Sequence, residues 1–264
     1  MENAALEVRE LTVSYGDGRP ALERASLSLP RGEILGVVGP NGGGKSTLLK
    51  GILGIAPVSS GKVFVAGNKV DRRSRRLIGY VPQREEVDWK FPVSAFDVVM
   101  MGRVPSMKLF RRPSSEDKKA VWKALADVGM ADFADKQIGE FSGGQQQRIF
   151  LGRALAQGAE VLLLDEPVSG VDAPSQREVF GLLNDLREAG KTVIVTTHDL
   201  SSVAERFGLA LILNRRVVAV GRPEDVFTAE ILNEAYDSSL MILNVGGRTI
   251  AVEDVNHHPT EHRA

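Results

Sequence analysis

The segment from Glu33 to Ser46 narrows the possible folds of this chain more than any other. A short apolar run, Ile34-Leu-Gly-Val-Val38, leads directly into Gly39-Pro40-Asn41-Gly42-Gly43-Gly44-Lys45-Ser46-Thr47, and a helical pattern starts near Lys45. A run of that length and character suits a strand buried on both faces. The glycines let the backbone curl until successive N–H groups point inward, and the following helix adds the positive end of its dipole. Strand, loop and helix in this order fit the G-x-x-x-x-G-K-[ST] pattern, whose loop cradles nucleotide phosphates. Lys45 then supplies a mobile charge to the β- and γ-phosphates. The Ser46 hydroxyl is a ligand for Mg²⁺, a cation that prefers oxygen.

A second apolar strand, Val161-Leu-Leu-Leu, delivers Asp165 and Glu166 at its C-terminal end, where ligands sit in open α/β sheets. Asp165 is the candidate for the Mg²⁺ shell, and Glu166 is placed to take a proton from an attacking water. Around these two elements strand and helix alternate: Thr192–Thr196 follows a helix at Pro174–Ala189, and another helix starts at about Leu200. That alternation predicts βαβ units and a largely parallel sheet. The N-terminal stretches Leu6–Val13 and Leu27–Leu29 alternate in polarity, as strands with one solvated face do. Helical patterns dominate between about Phe91 and Ile138, where Ser114 and Asp117 have capping-box spacing.

Composition removes several function classes. The 264 residues hold 33 Lys+Arg against 34 Asp+Glu, a net charge of −1 that argues against a general nucleic-acid binder. With no cysteine there is no disulfide framework, thiolate metal site or cysteine nucleophile. No stretch approaches the roughly 20 apolar residues that span a bilayer. The first residues lack the basic and apolar regions of a signal peptide, so the expected location is cytoplasmic.

Between the two strand-end motifs lies Phe141-Ser142-Gly143-Gly144-Gln145, in which Ser142 suits a helix N-cap and the glycines bare N–H groups for an anion. Here the sequence resembles the ATP-binding cassette (ABC) ATPases, whose signature is Leu-Ser-Gly-Gly-Gln. The family's other motifs follow in order. Tyr15 matches the aromatic residue stacked on adenine, and Gln83 the glutamine that senses Mg²⁺ and the γ-phosphate. Asp172, in Ser169-Gly170-Val171-Asp172, matches the loop coupling two active sites, and His198 the histidine contacting the γ-phosphate. The departures are Phe141 and Val171 for leucine, with Gly43 in a variable slot.

The resemblance implies an α/β fold of the ABC type: a phosphate-loop core, an antiparallel portion and an inserted helical subdomain. Residues 1–236 are expected to form one ATPase domain with the insertion at about 91–138; in residues 237–264, Leu240–Val245 and Thr249–Val252 flank Gly246-Gly247 and read as a β-hairpin extension followed by a frayed tail. The resemblance implies ATP and Mg²⁺ as cofactors, with Glu166, His198 and Lys45 catalytic and Ser46, Gln83 and Asp165 around the metal. It further implies a homodimer in which each Ser142–Gln145 segment faces the other copy's ATP, an isologous arrangement. The partners implied are an integral-membrane permease and, through it, an extracytoplasmic metal-binding receptor, with this subunit peripheral on the cytoplasmic face.

The stretch from Val81 to Arg103, with Val87-Asp-Trp89, Phe91-Pro92 and Met101-Gly-Arg103, is similar to ATPases of bacterial manganese, zinc and iron importers. Manganese is the first expectation, then zinc or iron. An importer for a chelated iron complex is the alternative. A non-transport ABC protein acting on ribosomes or nucleic acid is disfavoured, because the chain has one signature and no coiled-coil insertion. Trp89, Phe91 and Pro92 form an apolar cluster suited to a partner's helix. Arg72-Arg-Ser-Arg-Arg76 reads as a solvated surface stretch, and His257, His258 and His262 as part of a polar tail.

Overall fold

The computed structural model describes residues 4–16, 18–71, 74–107, 112–236, 240–245 and 248–253. The strands β1 (Ala4–Val13) and β2 (Leu22–Pro30) precede β3 (Ile34–Val38), and α1 (Lys45–Leu53) leads to β4 (Val58–Val65) and β5 (Asn68–Lys69). Next come β6 (Ile78–Val81), α2 (Ala95–Met101), α3 (Ser115–Asp127), α4 (Gly143–Ala156), β7 (Val161–Asp165), α5 (Ala173–Glu188), β8 (Thr192–Thr196) and α6 (Leu200–Arg206). The chain continues through β9 (Leu209–Asn214), β10 (Arg216–Gly221), α7 (Pro223–Val226) and α8 (Ala229–Tyr236) to β11 (Leu240–Val245) and β12 (Arg248–Glu253). Arg72 and Arg73 of the basic run, Gly246 and Gly247, and the histidines at 257, 258 and 262 lie outside the described residues.

An antiparallel sheet in the order β2-β1-β4-β5 covers one side of a six-stranded sheet in the order β10-β9-β3-β8-β7-β6. In the larger sheet β9, β3, β8, β7 and β6 run parallel, and β10 pairs antiparallel at the edge. Its central strands point alternate residues into two cores. Leu35, Val37, Leu163 and Ile194 join β1, β2 and the Leu48, Leu49 and Ile52 face of α1. Ile34, Val38, Leu162, Leu164, Val193 and Val195 meet the helices on the other side. Burial on both faces explains why these strands read as unbroken apolar runs in the sequence.

The helices α2 and α3 pack on α4 through Val98, Val99, Val121, Leu125, Ile149 and Phe150. Backbone bonds from Ala95 to Lys136 and from Ile138 to Val93 (each 2.9 Å) close the neck of this segment. Capping boxes start both helices, Ser94 with Asp97 and Ser114 with Asp117. Within the Trp89, Phe91 and Pro92 cluster, Trp89 packs against this segment. Its ring tilts against Phe150 at 5.2 Å and its indole N–H donates to the Arg84 carbonyl at 2.8 Å, so it is half-buried packing. A large ring with one donor gains most where both needs are met. Phe91 stays 57% exposed.

Candidate active site

The phosphate loop is shaped by steric necessity. A Cβ at Gly39 (φ +157°) would lie 1.9 Å from the Leu213 carbonyl oxygen, and one at Gly44 (φ +93°) 2.7 Å from that of Ala21. Neither position tolerates a side chain without moving backbone. Gly43, in the family's variable slot, is closed as well, since a Cβ there would sit 2.9 Å from the Pro40 oxygen. The loop is stitched to its neighbours by Gly43 N–H to Pro40 O (3.0 Å) and Arg215 N–H to Gly43 O (2.8 Å). Lys45 is buried and curls back, donating from Nζ to the carbonyls of Gly39 (2.8 Å) and Pro40 (3.1 Å). Its ammonium is therefore held against the loop backbone by two carbonyls. Asn41 and Gly42 lie in the strand-to-helix turn, and Thr47 sits in the first turn of α1.

Beside this loop, at the C-terminal ends of β7 and β8, a carboxylate and three hydroxyls converge. Asp165 is 1% exposed; its Oδ1 accepts from Ser46 Oγ (3.0 Å) and Thr196 Oγ1 (2.6 Å), and its Oδ2 from the Tyr80 hydroxyl (3.4 Å). Burial first, then the Asp165 charge, pushes the Tyr80 hydroxyl far above its usual range and keeps it a donor. The Asp165 carboxylate and the Ser46 hydroxyl together form an all-oxygen donor set beside the loop. A hard divalent ion held by Ser46 and Asp165 oxygens fits that donor set.

Glu166, the next residue, has φ +45°, a conformation that side chains rarely adopt and that clusters at functional sites. Its carboxylate is 18% exposed, and Oε2 lies 3.8 Å from Nδ1 of His198, itself 65% exposed at the end of β8. Two carboxylates at one strand end thus face different ways. Asp165 turns into the loop and Glu166 toward the rim.

The remaining expected residues lie apart from this cluster. Tyr15 is 60% exposed. Gln83 follows β6, half-buried, with its carbonyl accepting the Glu86 N–H (3.1 Å); no described hydrogen bond joins it to Ser46 or Asp165. Asp172 caps α5, accepting the Ser175 N–H (2.9 Å), and this bond lowers its carboxyl below the usual range. Ser142 and Gln145 form a capping box at α4. The atoms nearest a Cβ at Gly143 and Gly144 belong to Arg84, Val171 and Ser175 rather than to the phosphate loop.

A charge pattern sets two helices apart. Among the described residues, α2, α3, α5, α6, α7 and α8 each carry a carboxylate at the N-cap or in the first turn. The helices α1 and α4 carry none. A carboxylate there would neutralise the positive helix end; these two ends keep it for an anion from outside. Sequence reasoning missed Thr196 and Tyr80, although a threonine closing an otherwise apolar strand was a readable signal.

Residues 22–169 match the sequence pattern of the family described as "ABC transporter". The manganese transport system ATP-binding protein MntB of Bacillus subtilis is 47% identical over 90% of this chain and 94% of its own length. The zinc transport system ATP-binding protein TroB of Treponema pallidum is 46% identical over 88% of this chain and 86% of its own. Among solved structures, a metal-chelate type ABC transporter in an inward-facing conformation superposes with a TM-score of 0.78 at 31% identity, covering 94% of this chain and 96% of that one. With sequence and fold matched over nearly the same span, this chain belongs to the ABC transporter family and forms its ATP-binding domain.

Proposed function

We propose that this chain hydrolyses ATP to power import of a divalent transition metal, manganese first, then zinc or iron. The observation that carries the hydrolytic reading is Glu166, at a strained backbone angle beside Asp165 and 3.8 Å from His198. The names of the manganese and zinc relatives support the cargo. Ser46 and Asp165 would hold Mg²⁺, which would neutralise charge on the phosphate oxygens. Lys45, the loop N–H groups and the α1 dipole stabilise charge on the phosphoryl group in flight. Glu166 accepts a proton as the water oxygen bonds to the γ-phosphorus and the bond to the bridging oxygen breaks, releasing ADP and phosphate. His198 holds the γ-phosphate from the rim.

Two copies of the chain would sandwich two nucleotides, the N-terminal end of each α4, which carries no carboxylate, facing the other copy's ATP. Closure and reopening would bias an integral-membrane permease between two states, since ATP binds the closed pair better. The permease would take its cargo from an extracytoplasmic receptor, with this subunit peripheral on the cytoplasmic side. No helix among the described residues is long and apolar enough to cross a membrane.

Glu166→Gln tests the chemistry. Expected is retained ATP binding, turnover lowered about a hundredfold or more, and a dimer that persists on size-exclusion with ATP–Mg²⁺. Turnover at the parent rate refutes Glu166 as the base. The cargo is tested by purifying the chain with its permease and receptor from native membranes and identifying the receptor's metal.

A further inference from the structure

We propose that Thr196 is a positioning residue that aims both carboxylates of the hydrolytic site through one buried hydroxyl. The inference rests on the reading of Glu166 as the base. Thr196 is wholly buried at the end of β8, whose preceding residues Val193, Ile194 and Val195 are apolar and equally buried. Valine would fill the same space, so packing alone does not call for the hydroxyl. A buried hydroxyl must also find partners. This one finds three: Oγ1 donates to Asp165 Oδ1 at 2.6 Å, has the Leu164 carbonyl as a longer acceptor at 3.5 Å, and accepts the Glu166 backbone N–H at 3.0 Å.

The register explains why the second bond matters. The β7–β8 ladder ends at the pair Asp165 and Thr196. The Glu166 N–H has left the ladder at the residue where φ turns to +45°, and a side chain takes over from the sheet. That bond fixes the peptide plane from which the Glu166 side chain departs. The first bond acts on Asp165, whose Oδ1 accepts from both Thr196 and Ser46. Two donors on one oxygen hold the carboxylate in a single orientation. Thr196 is thus linked to the base through the backbone and to the metal-facing carboxylate through its proton.

The test compares Thr196→Val and Thr196→Ser with Glu166→Gln in the purified full chain. Expected for the valine variant is a kcat lowered about tenfold, the equivalent of about 1.4 kcal/mol, with KM for ATP held within about twofold. The serine variant should recover most of the rate. A second readout avoids turnover: Mg²⁺ should strengthen binding of a fluorescent ATP analogue less in the valine variant, with metal-free binding unchanged. Thr196→Val at the parent rate, beside an inactive Glu166→Gln, overturns this proposal alone. Equal losses of rate in the valine and serine variants, in step with lowered thermal stability, make Thr196 structural and also overturn it. Glu166→Gln at the parent rate brings down the base reading and this proposal together.

Discussion

Helix α1 follows a glycine cap and α4 starts in glycine, and neither has a carboxylate at its N-terminal end, yet they are built differently. The N-terminus of α1 is walled in by its own chain. Its cap is Gly44 in the left-handed region with no side-chain bond, and Lys45 folds over the loop in front of it. The N-terminus of α4 faces outward and closes on itself, Gln145 N–H donating to Ser142 Oγ (3.4 Å) and Ser142 N–H to Gln145 Oε1 (3.1 Å). The first end is preorganised for a ligand that this chain alone can hold. The second satisfies its donors with neutral groups until something else comes to it. The difference fits a division of labour between binding ATP in one copy and completing its site from another.

The sharpest way to break the comparison is Lys45→Ala. Removing the cation from the walled-in end should weaken ATP binding about a hundredfold, the scale of a lost charge-assisted contact, by fluorescent-nucleotide titration. Affinity at the parent value would mean that the loop is not the holder. A smaller effect, of another kind, is expected from Ser142→Ala. Loss of the cap should cost about 1 kcal/mol of stability and lower turnover, with ATP affinity of the single chain unchanged. A fall in affinity would erase the distinction between the two ends.

The smallest effect concerns α3, whose first turn carries the carboxylate that α1 and α4 lack. Bonds from Ser114, then from Arg103, hold the Asp117 carboxyl down from the ordinary 3.8 to about 2. A lowered folded-state value means that this group's stabilisation is complete above 3.8 and fades as pH falls through about 2. Asp117→Asn should flatten the acid loss of stability in that window and leave ATP binding at neutral pH untouched. Denaturation curves at a series of pH values check it, and an unchanged acid limb would refute the role.

Much of the active site was legible because its residues serve local chemistry. A loop that bends backbone N–H groups around phosphate needs glycine wherever a Cβ would strike a neighbour, and Gly39 and Gly44 show that need directly. The two carboxylates were readable because a buried strand announces its own end. Thr196 and Tyr80 were not. Their roles depend on β8 and β6 flanking β7, a neighbourhood joined across 31 and 85 residues of chain. Whether Trp89 packs or faces a partner was likewise not decided by local sequence: Phe150, which its ring meets, lies in α4, 61 residues further along the chain.

By itself, then, the sequence determined the parts whose constraint is short-ranged: strand, loop, helix caps, the order of motifs and the two-sided burial of the central sheet. Tertiary structure alone decided which hydroxyls reach Asp165, that Glu166 turns to φ +45° away from it, and that α4 opens outward while α1 is enclosed. Local patterns follow from backbone geometry and burial over a few residues. Aim and enclosure depend on which distant strands become neighbours, and only the folded chain settles that.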